Sequence, residues 1–531
     1  MRIQFGLLVL GCMMSISTLI AQPSIVLDIN SGSTNSTPTN LTDVNGVLFF
    51  SASDGMNGVE LWKSSGTGAA TVLVKDIASG SGSSDPVYFE NVNGVLYFVA
   101  NDGINGKELW KSDGTDAGTV LVKDINTGAA DANPAYLRSI NGTLYFTADD
   151  GANGIELWKS DGTDPGTVLV KDINTAGGSN PANVVVIGTT LFFKASDGLA
   201  GFELWKSDGS SGGTVLVKDI AAGSAGSSPD FLTKVGVVLY FSCYDGSDVE
   251  LWKSDGTTGG TVMVKNINPS GISAPTALTN VNGTLYFRAN DGTNGLELWK
   301  SDGTSGGTVL VKDINIGSTG SSPLLLTDIN GTLYFRADNG STGIEMWKSD
   351  GTSGGTVLVK DINTGALDSS PDNFIFVNST IYFVAETTAS GRELWTTDGT
   401  TGGTQIVMDI NTTASSSPNF LTASNSRLYF SASDGMNGVE LWKGDGGVLS
   451  VTDLTNAQLS LNVSPNPTLG VVSVKGVERG DVLTLFDDMG IVQGTYTQNG
   501  DSMLSIDLTT QAIGLYLLRS SSGAVVRVLK N

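Results

Sequence analysis

The sequence contains no histidine and only two cysteines. Without histidine, neither a Ser-His-Asp nor a Cys-His catalytic arrangement can form, and no imidazole is there to bind a metal. Cys12 falls in an apolar leader, which leaves Cys243 alone in the rest of the chain. A disulfide framework and a thiolate zinc site are thereby excluded. Positive charge is scarce: 29 Lys+Arg stand against 53 Asp+Glu, a formal net charge of −24. That balance argues against nucleic acid or an anionic membrane as partner, and favours solubility and cations. No apolar run past the leader approaches the ~18 residues of a membrane span, so no transmembrane anchor is expected. Helical periodicity is missing throughout. Glycine is plentiful, at 69 of 531 residues, and 40% hydrophobic residues suffice for a core. The length exceeds one ordinary domain.

Residues 1–21 read as a signal peptide, with Arg2 as the positive end, an apolar stretch over 5–20, and Ala21 before the cut. Leu19 fits the cleavage site poorly. The competing reading is a lipoprotein signal at Val9-Leu10-Gly11-Cys12, against which the apolar run continues past Cys12. Either way the chain is expected to leave the cytoplasm.

All nine tryptophans sit in one local pattern, Glu-Leu/Met-Trp, spaced by 47 or 48 residues from Trp62 to Trp442. An internal repeat of this length means a propeller, a solenoid or an array. Within one repeat, strands A, B, C and D are expected at 134–140, 143–148, 155–160 and 167–173. Asn141-Gly142 suits a two-residue hairpin turn, and Asp150 to Gly154 and Asp161-Gly162 mark two more turns. Three tight turns in succession make a four-stranded antiparallel meander. Along strand B, Leu144 and Phe146 point one way and Tyr145 the other, so both faces are apolar. Such sheets must be sandwiched between copies of themselves, and radial stacking does this in a β-propeller. The expected fold class is therefore all-β: a propeller of nine four-stranded blades over 22–455, then a small Ig-like β-sandwich over 456–531. A solenoid is the alternative, but it needs dedicated end caps. Strand D occurs ten times, counting 24–30 before the first A and 448–454 after the last C. The strand at 24–29 is expected to dock on the last blade, with the occupant of its outer slot left open.

The segments Glu-Leu-Trp-Lys-Ser-Asp-Gly-Thr at 108–115, 156–163, 250–257 and 297–304 resemble the ELWxxDGT repeat family of bacterial secreted proteins. The resemblance spans about 430 residues in nine in-phase copies. Ser65 and Met346 depart from the pattern, as does the ninth copy at Gly444 to Gly447. The resemblance implies no general activity.

The repeated residues read first as structure. Each repeat glutamate precedes a lysine by 15 residues, as in Glu60/Lys75 and Glu156/Lys171. That spacing predicts a cross-strand ion pair. The tryptophans are expected to pack blade on blade, with sugar stacking as the competing role. The Asp-Gly-x-Asn-Gly-x-Glu segments at 54–60 and 291–297 offer oxygens to Ca²⁺, yet lack alternating acidic ligands and read as turns. No cofactor is expected, with calcium the one left open. Specific function should lie where repeats differ. Candidates are Arg288 and Arg336, sharing a B-strand slot in adjacent repeats and suited to a carboxylate or sulfate. Asp43, Lys234 and Asp328, in the innermost strand, are the others. Uniform repeats favour a non-enzymatic secreted propeller that binds a glycan or protein. A glycoside hydrolase or lyase using paired carboxylates, or a purely structural role, are the alternatives.

From 459 onward the repeat is gone, and six or seven short strands suggest a small antiparallel sandwich. The residues Pro465-Asn466-Pro467, Gly470, Gly490, Gly514, Tyr516 and Lys530 resemble the type A sorting domain of type IX secretion. The resemblance implies export through the periplasm, recognition by the type IX translocon, and release or attachment at the outer surface of a Gram-negative cell.

Overall fold

The computed structural model describes residues 22–444, 462–475, 482–486, 492–498, 504–520 and 525–530. The expected leader, the D-like segment 448–454 and Gly490 lie outside the described residues. The chain divides into two compact units, one of residues 22–445 and one of residues 1–21 with 446–531.

Among the described residues of the first unit, the repeats fold as nine four-stranded antiparallel sheets, an arrangement consistent with a β-propeller. We number the sheets 1–9 in chain order. Sheet 3 comprises Ala135–Ile140 (A), Thr143–Asp149 (B), Ile155–Ser160 (C) and Val168–Lys171 (D). Its A–B turn carries positive φ at Asn141 (50°) and Gly142 (82°), the backbone that matches strand twist in a two-residue hairpin. Each A strand neighbours the A strand of the next sheet, and that of sheet 9 neighbours that of sheet 1. The sheets thus close a ring whose inner wall is made of A strands.

The seams between sheets hold the core. Between sheets 3 and 4, Ile140, Tyr145, Leu157, Val170 and Ile173 meet Val184, Leu191, Phe193, Ala195 and Trp205. Eight tryptophans, from Trp62 to Trp395, are each buried against the preceding sheet, as expected, at about 3–5 kcal/mol for such a side chain. The seam between sheets 9 and 1 has the same composition, with Val26 and Ile29 filling the outer-strand positions. Ser24–Leu27 pairs antiparallel with Val439–Gly444 and so occupies the outer slot of sheet 9.

The expected glutamate–lysine pair does not form. A bulge between Leu157 and Trp158 sets Lys171 opposite Leu157, while Trp158 faces Leu169. Glu156 thus falls beyond the end of strand D, fully buried, where the chain turns toward the next sheet. The amides of that connection have no strand partner, and Glu156 takes them. It accepts from Ile173 N (3.2 Å), Asn174 N (3.4 Å), Ser179 N (2.7 Å) and Ser179 Oγ (2.5 Å). Lys171 instead reaches the next sheet, donating to Thr214 O at 2.8 Å with its Nζ 6.0 Å from the Trp205 ring centroid. Strand C lysines also cross seams: Lys159 Nζ donates to Gly209 O, and Lys443 Nζ to Gly66 O across the closure, at 2.9 and 2.8 Å.

In the second unit, the described strands form one sheet of Asn462–Ser464, Val471–Lys475 and Leu504–Asp507. The other holds Val482–Phe486, Val492–Thr497, Gly514–Ser520 and Val525–Lys530. Val472, Val474 and Ile506 of one sheet share a core with Leu483, Leu485, Leu518 and Val528 of the other.

Candidate binding site on the inner strands

The inner wall is shaped by a bulge repeated in every A strand. Pairing to strand B slips between Val87 and Glu90, between Ala135 and Arg138, and at the matching positions of the other sheets. The bulge holds one residue per A strand in the left-handed region, with φ of 58° at Tyr88, 53° at Tyr136, 55° at Phe231, 56° at Leu325 and 55° at Phe420. Asn40, Asn183, Asn373 and Ala277 occupy the slot in sheets 1, 4, 8 and 6. Asparagine takes this conformation readily, whereas a bulky side chain is an outlier there, at roughly 1–2 kcal/mol. The kink drives the following residue into the seam, as with Leu137 and Val184. The aromatic residues in this slot stay outside the core: Tyr88 is 56% exposed, Tyr136 39% and Phe231 48%.

The position two residues on laces neighbouring A strands. Thr233 Oγ1 donates to Leu278 O, Thr279 Oγ1 to Leu326 O, and Thr422 Oγ1 to Leu41 O across the closure, each at 3.2 Å. Threonine stands here in five sheets; sheets 4 and 8 hold the apolar Val185 and Ile375, and sheets 2 and 3 hold the charged Glu90 and Arg138. Glu90 accepts the Ser139 amide of sheet 3 at 3.1 Å. Burial pushes its carboxyl above the usual range, against the pull of that N–H and of Arg138. Arg138 is exposed and donates through Nη1 to Leu137 O at 2.7 Å. Tyr88, Glu90, Tyr136 and Arg138 line one cleft of about 580 Å³. A second cleft, of about 400 Å³, is lined by Phe231, Thr233, Thr279, Leu325 and Arg288.

The candidates read from the sequence scatter over this frame. Arg288 lines the second cleft, with Nε donating to Thr276 Oγ1 at 3.0 Å. It shares a strand face with Tyr286, which packs on sheet 7, whereas Arg336 shares a face with Tyr334, which packs on sheet 8. The two guanidiniums therefore enter successive seams rather than one. Arg336 Nε is buried without a hydrogen-bond partner. Asp43 and Asp328 accept the turn amides of Gly46 (3.3 Å) and Gly331 (2.8 Å), and Asp43 also accepts from the Ser424 hydroxyl of sheet 9. Lys234 is exposed beside Thr233. The left-handed slot escaped sequence reading. Its one signal was the asparagine recurring at 40, 183 and 373.

The calcium segments spend their carboxylates internally. Asp54 accepts from Met56 N, Asn57 N and Asn57 Nδ2 at 2.9, 2.8 and 2.7 Å. Burial raises its pKa, but these donors outweigh burial and hold it below the usual value. Among the described residues no cluster of three or more acidic or cysteine side chains is placed to hold a metal ion. Cys243 is 1% exposed, and burial pushes its thiol far up, which makes it unreactive. No helix among the described residues is long and apolar enough to cross a membrane.

In the second unit, residues far apart in the sequence come together. Asn466 donates through Nδ2 to Arg527 O (2.6 Å) and accepts Leu529 N (2.8 Å), while Thr468 N donates to Leu529 O at 2.8 Å. A Cβ on Gly470 would lie 2.7 Å from Thr509 Cγ2. Tyr516 OH donates to Ala512 O at 2.8 Å, and the buried Lys530 Nζ donates to Thr509 O at 3.1 Å and to Gln511 O. Gly514 pairs with Lys530.

No protein-family model and no curated protein matches the chain. Solved structures similar to it include puromycin hydrolase, at 14% identity and a TM-score of 0.36, covering 69% of this chain and 61% of that one. Another is PorZ, described as a bacterial surface component of the type IX secretion system of Porphyromonas gingivalis, at 12% identity and a TM-score of 0.36, covering 93% and 75%. A third comes from a study of two prolyl endopeptidases, at 13% identity and a TM-score of 0.38, covering 68% and 55%. The chain thus spans less than two thirds of the hydrolase and endopeptidase chains.

Proposed function

We propose that the chain is a nine-bladed β-propeller followed by an Ig-like sorting sandwich, exported by type IX secretion and displayed or released at the cell surface. There the propeller acts as a non-enzymatic module that binds an extracellular glycan or protein. One observation carries the binding role. The repeated Glu, Lys, Trp and Asp side chains are tied up in seams, connections and turns, and the repeats diverge at the exposed inner wall. The cleft between sheets 2 and 3 has one carboxylate among its lining residues, Glu90, whereas glycoside hydrolysis uses a pair. Residues 22–531 are expected to be retained by extracellular polysaccharide or surface protein and to release no reducing ends from polysaccharide. Steady release of reducing sugar would overturn the non-enzymatic reading.

The export reading rests on the sorting pattern, of whose members Asn466, Gly514 and Tyr516 meet the strand carrying Lys530. Deleting 459–531 is expected to trap a folded propeller in the periplasm. The repeats form a compact unit of their own, with A strands in contact from sheet to sheet around the whole ring. Cell fractionation decides: a truncated chain that still reaches the surface or medium is incompatible with a sorting role.

A further inference from the structure

We propose that the inner-wall cleft between sheets 2 and 3 is a carbohydrate subsite for an uncharged pyranose chain. Tyr88 and Tyr136 supply the aromatic faces, and Glu90 and Arg138 the hydrogen-bonding edge. This deepens the binding-module reading and rests on it.

Three observations converge on this cleft. First, two tyrosines on adjacent sheets stand at the left-handed slot, exposed by 56% and 39%. Asparagine fills the same slot at less strain in sheets 1, 4 and 8. Packing therefore does not require tyrosine, and strain of this kind collects at ligand sites. Second, these two adjacent sheets are the ones that carry a charged side chain at the threonine position, Glu90 and Arg138, an acceptor beside a donor in one cleft. Vicinal sugar hydroxyls each donate and accept, so such a pair satisfies both roles. Third, the tyrosine ring offers an apolar face to the C–H face of a pyranose and keeps its hydroxyl for the polar rim. A volume of about 580 Å³ suits a small ligand, whereas a protein face needs several hundred square ångströms of contact. The net charge of −24 disfavours acidic polysaccharides.

The test is calorimetry of residues 22–531 against maltotriose, cellotriose, laminaritriose, mannotriose and chitotriose. At least one is expected to bind. Tyr88→Asn and Tyr136→Asn should each weaken it at least tenfold, and the double variant should abolish it. Glu90→Gln should weaken it by a smaller factor. The melting temperature should hold or rise, because asparagine already occupies this slot in three sheets. Phe231→Asn, in the second cleft, should leave the affinity unchanged. Binding that survives the double variant would overturn the subsite and leave the binding-module reading standing. Failure of all five sugars to bind the unaltered chain would also overturn it. Turnover of a bound sugar that still depends on the tyrosines would instead overturn the non-enzymatic reading alone.

Discussion

Glu440→Ala is expected to cost the ring about 3–5 kcal/mol and to release its first strand. The carboxylate is fully buried and accepts from Ile29 N (2.9 Å), Ser36 N (2.9 Å) and Ser36 Oγ (2.5 Å). Removing it strands those donors, and each buried unsatisfied donor costs about 1–3 kcal/mol. The equivalent loss at Glu156 opens a connection between neighbours in sequence. At Glu440 the partners lie 404 and 411 residues away, so the contact closes the ring itself. Only Ser24–Leu27 and the residues after it complete sheet 9 among the described strands. Chemical denaturation should show the lower midpoint, and limited proteolysis should cut within 22–38 before any other seam. Glu440→Gln should fall between, since its amide NH₂ faces a donor on one side. A midpoint equal to that of the unaltered chain would refute the clamp.

Raising the pH from about 5 to 8 is expected to destabilise the fold, chiefly through Glu108. Eight of the nine repeat glutamates have a serine at the position that donates to them, and Glu108 has Ala132. Burial pushes Glu108 up and the amides of Ile125, Asn126 and Ala132 pull it back, leaving it at about 7. In the unfolded chain a glutamate titrates near ~4.3. The folded state therefore holds the extra proton in between. Its contribution is complete below about pH 4.3 and is lost as the pH rises through about 7, at up to ~1.4 kcal/mol per pH unit. Burial raises Glu60, Glu156 and Glu440 in the same direction. The turn aspartates oppose this. Asp54 and Asp150 are held low by amide donors, so their contribution is lost as the pH falls below the usual carboxylate range. Stability should peak in mild acid. Ala132→Ser supplies the missing hydroxyl and should flatten the decline. Urea midpoints at about pH 5, 6.5 and 8 would show it. A flat profile in the unaltered chain would contradict the assignment.

The strands, their order within a sheet and the packing role of tryptophan were all legible in the sequence, because their causes are local. Asn141-Gly142 bends the chain by its own backbone preference, and Leu144, Tyr145 and Phe146 alternate between faces wherever the strand lies. The 47–48-residue period then forces copies to cover one another. Tertiary structure alone decided where each side chain's partner lies. Equal spacing suggested that Glu156 meets Lys171, but one bulged residue moves the lysine to the next sheet and gives the glutamate to amides 17 to 23 residues downstream. The same holds for Arg288 and Arg336. They are equivalent in sequence and lie in different seams, since a radial array turns equal positions in one direction without making them converge. Only the assembled ring placed Tyr88 beside Tyr136 and Glu90 beside Arg138. A β-bulge has no strong sequence signature, and its left-handed residue reaches the inner wall only after nine sheets close around it.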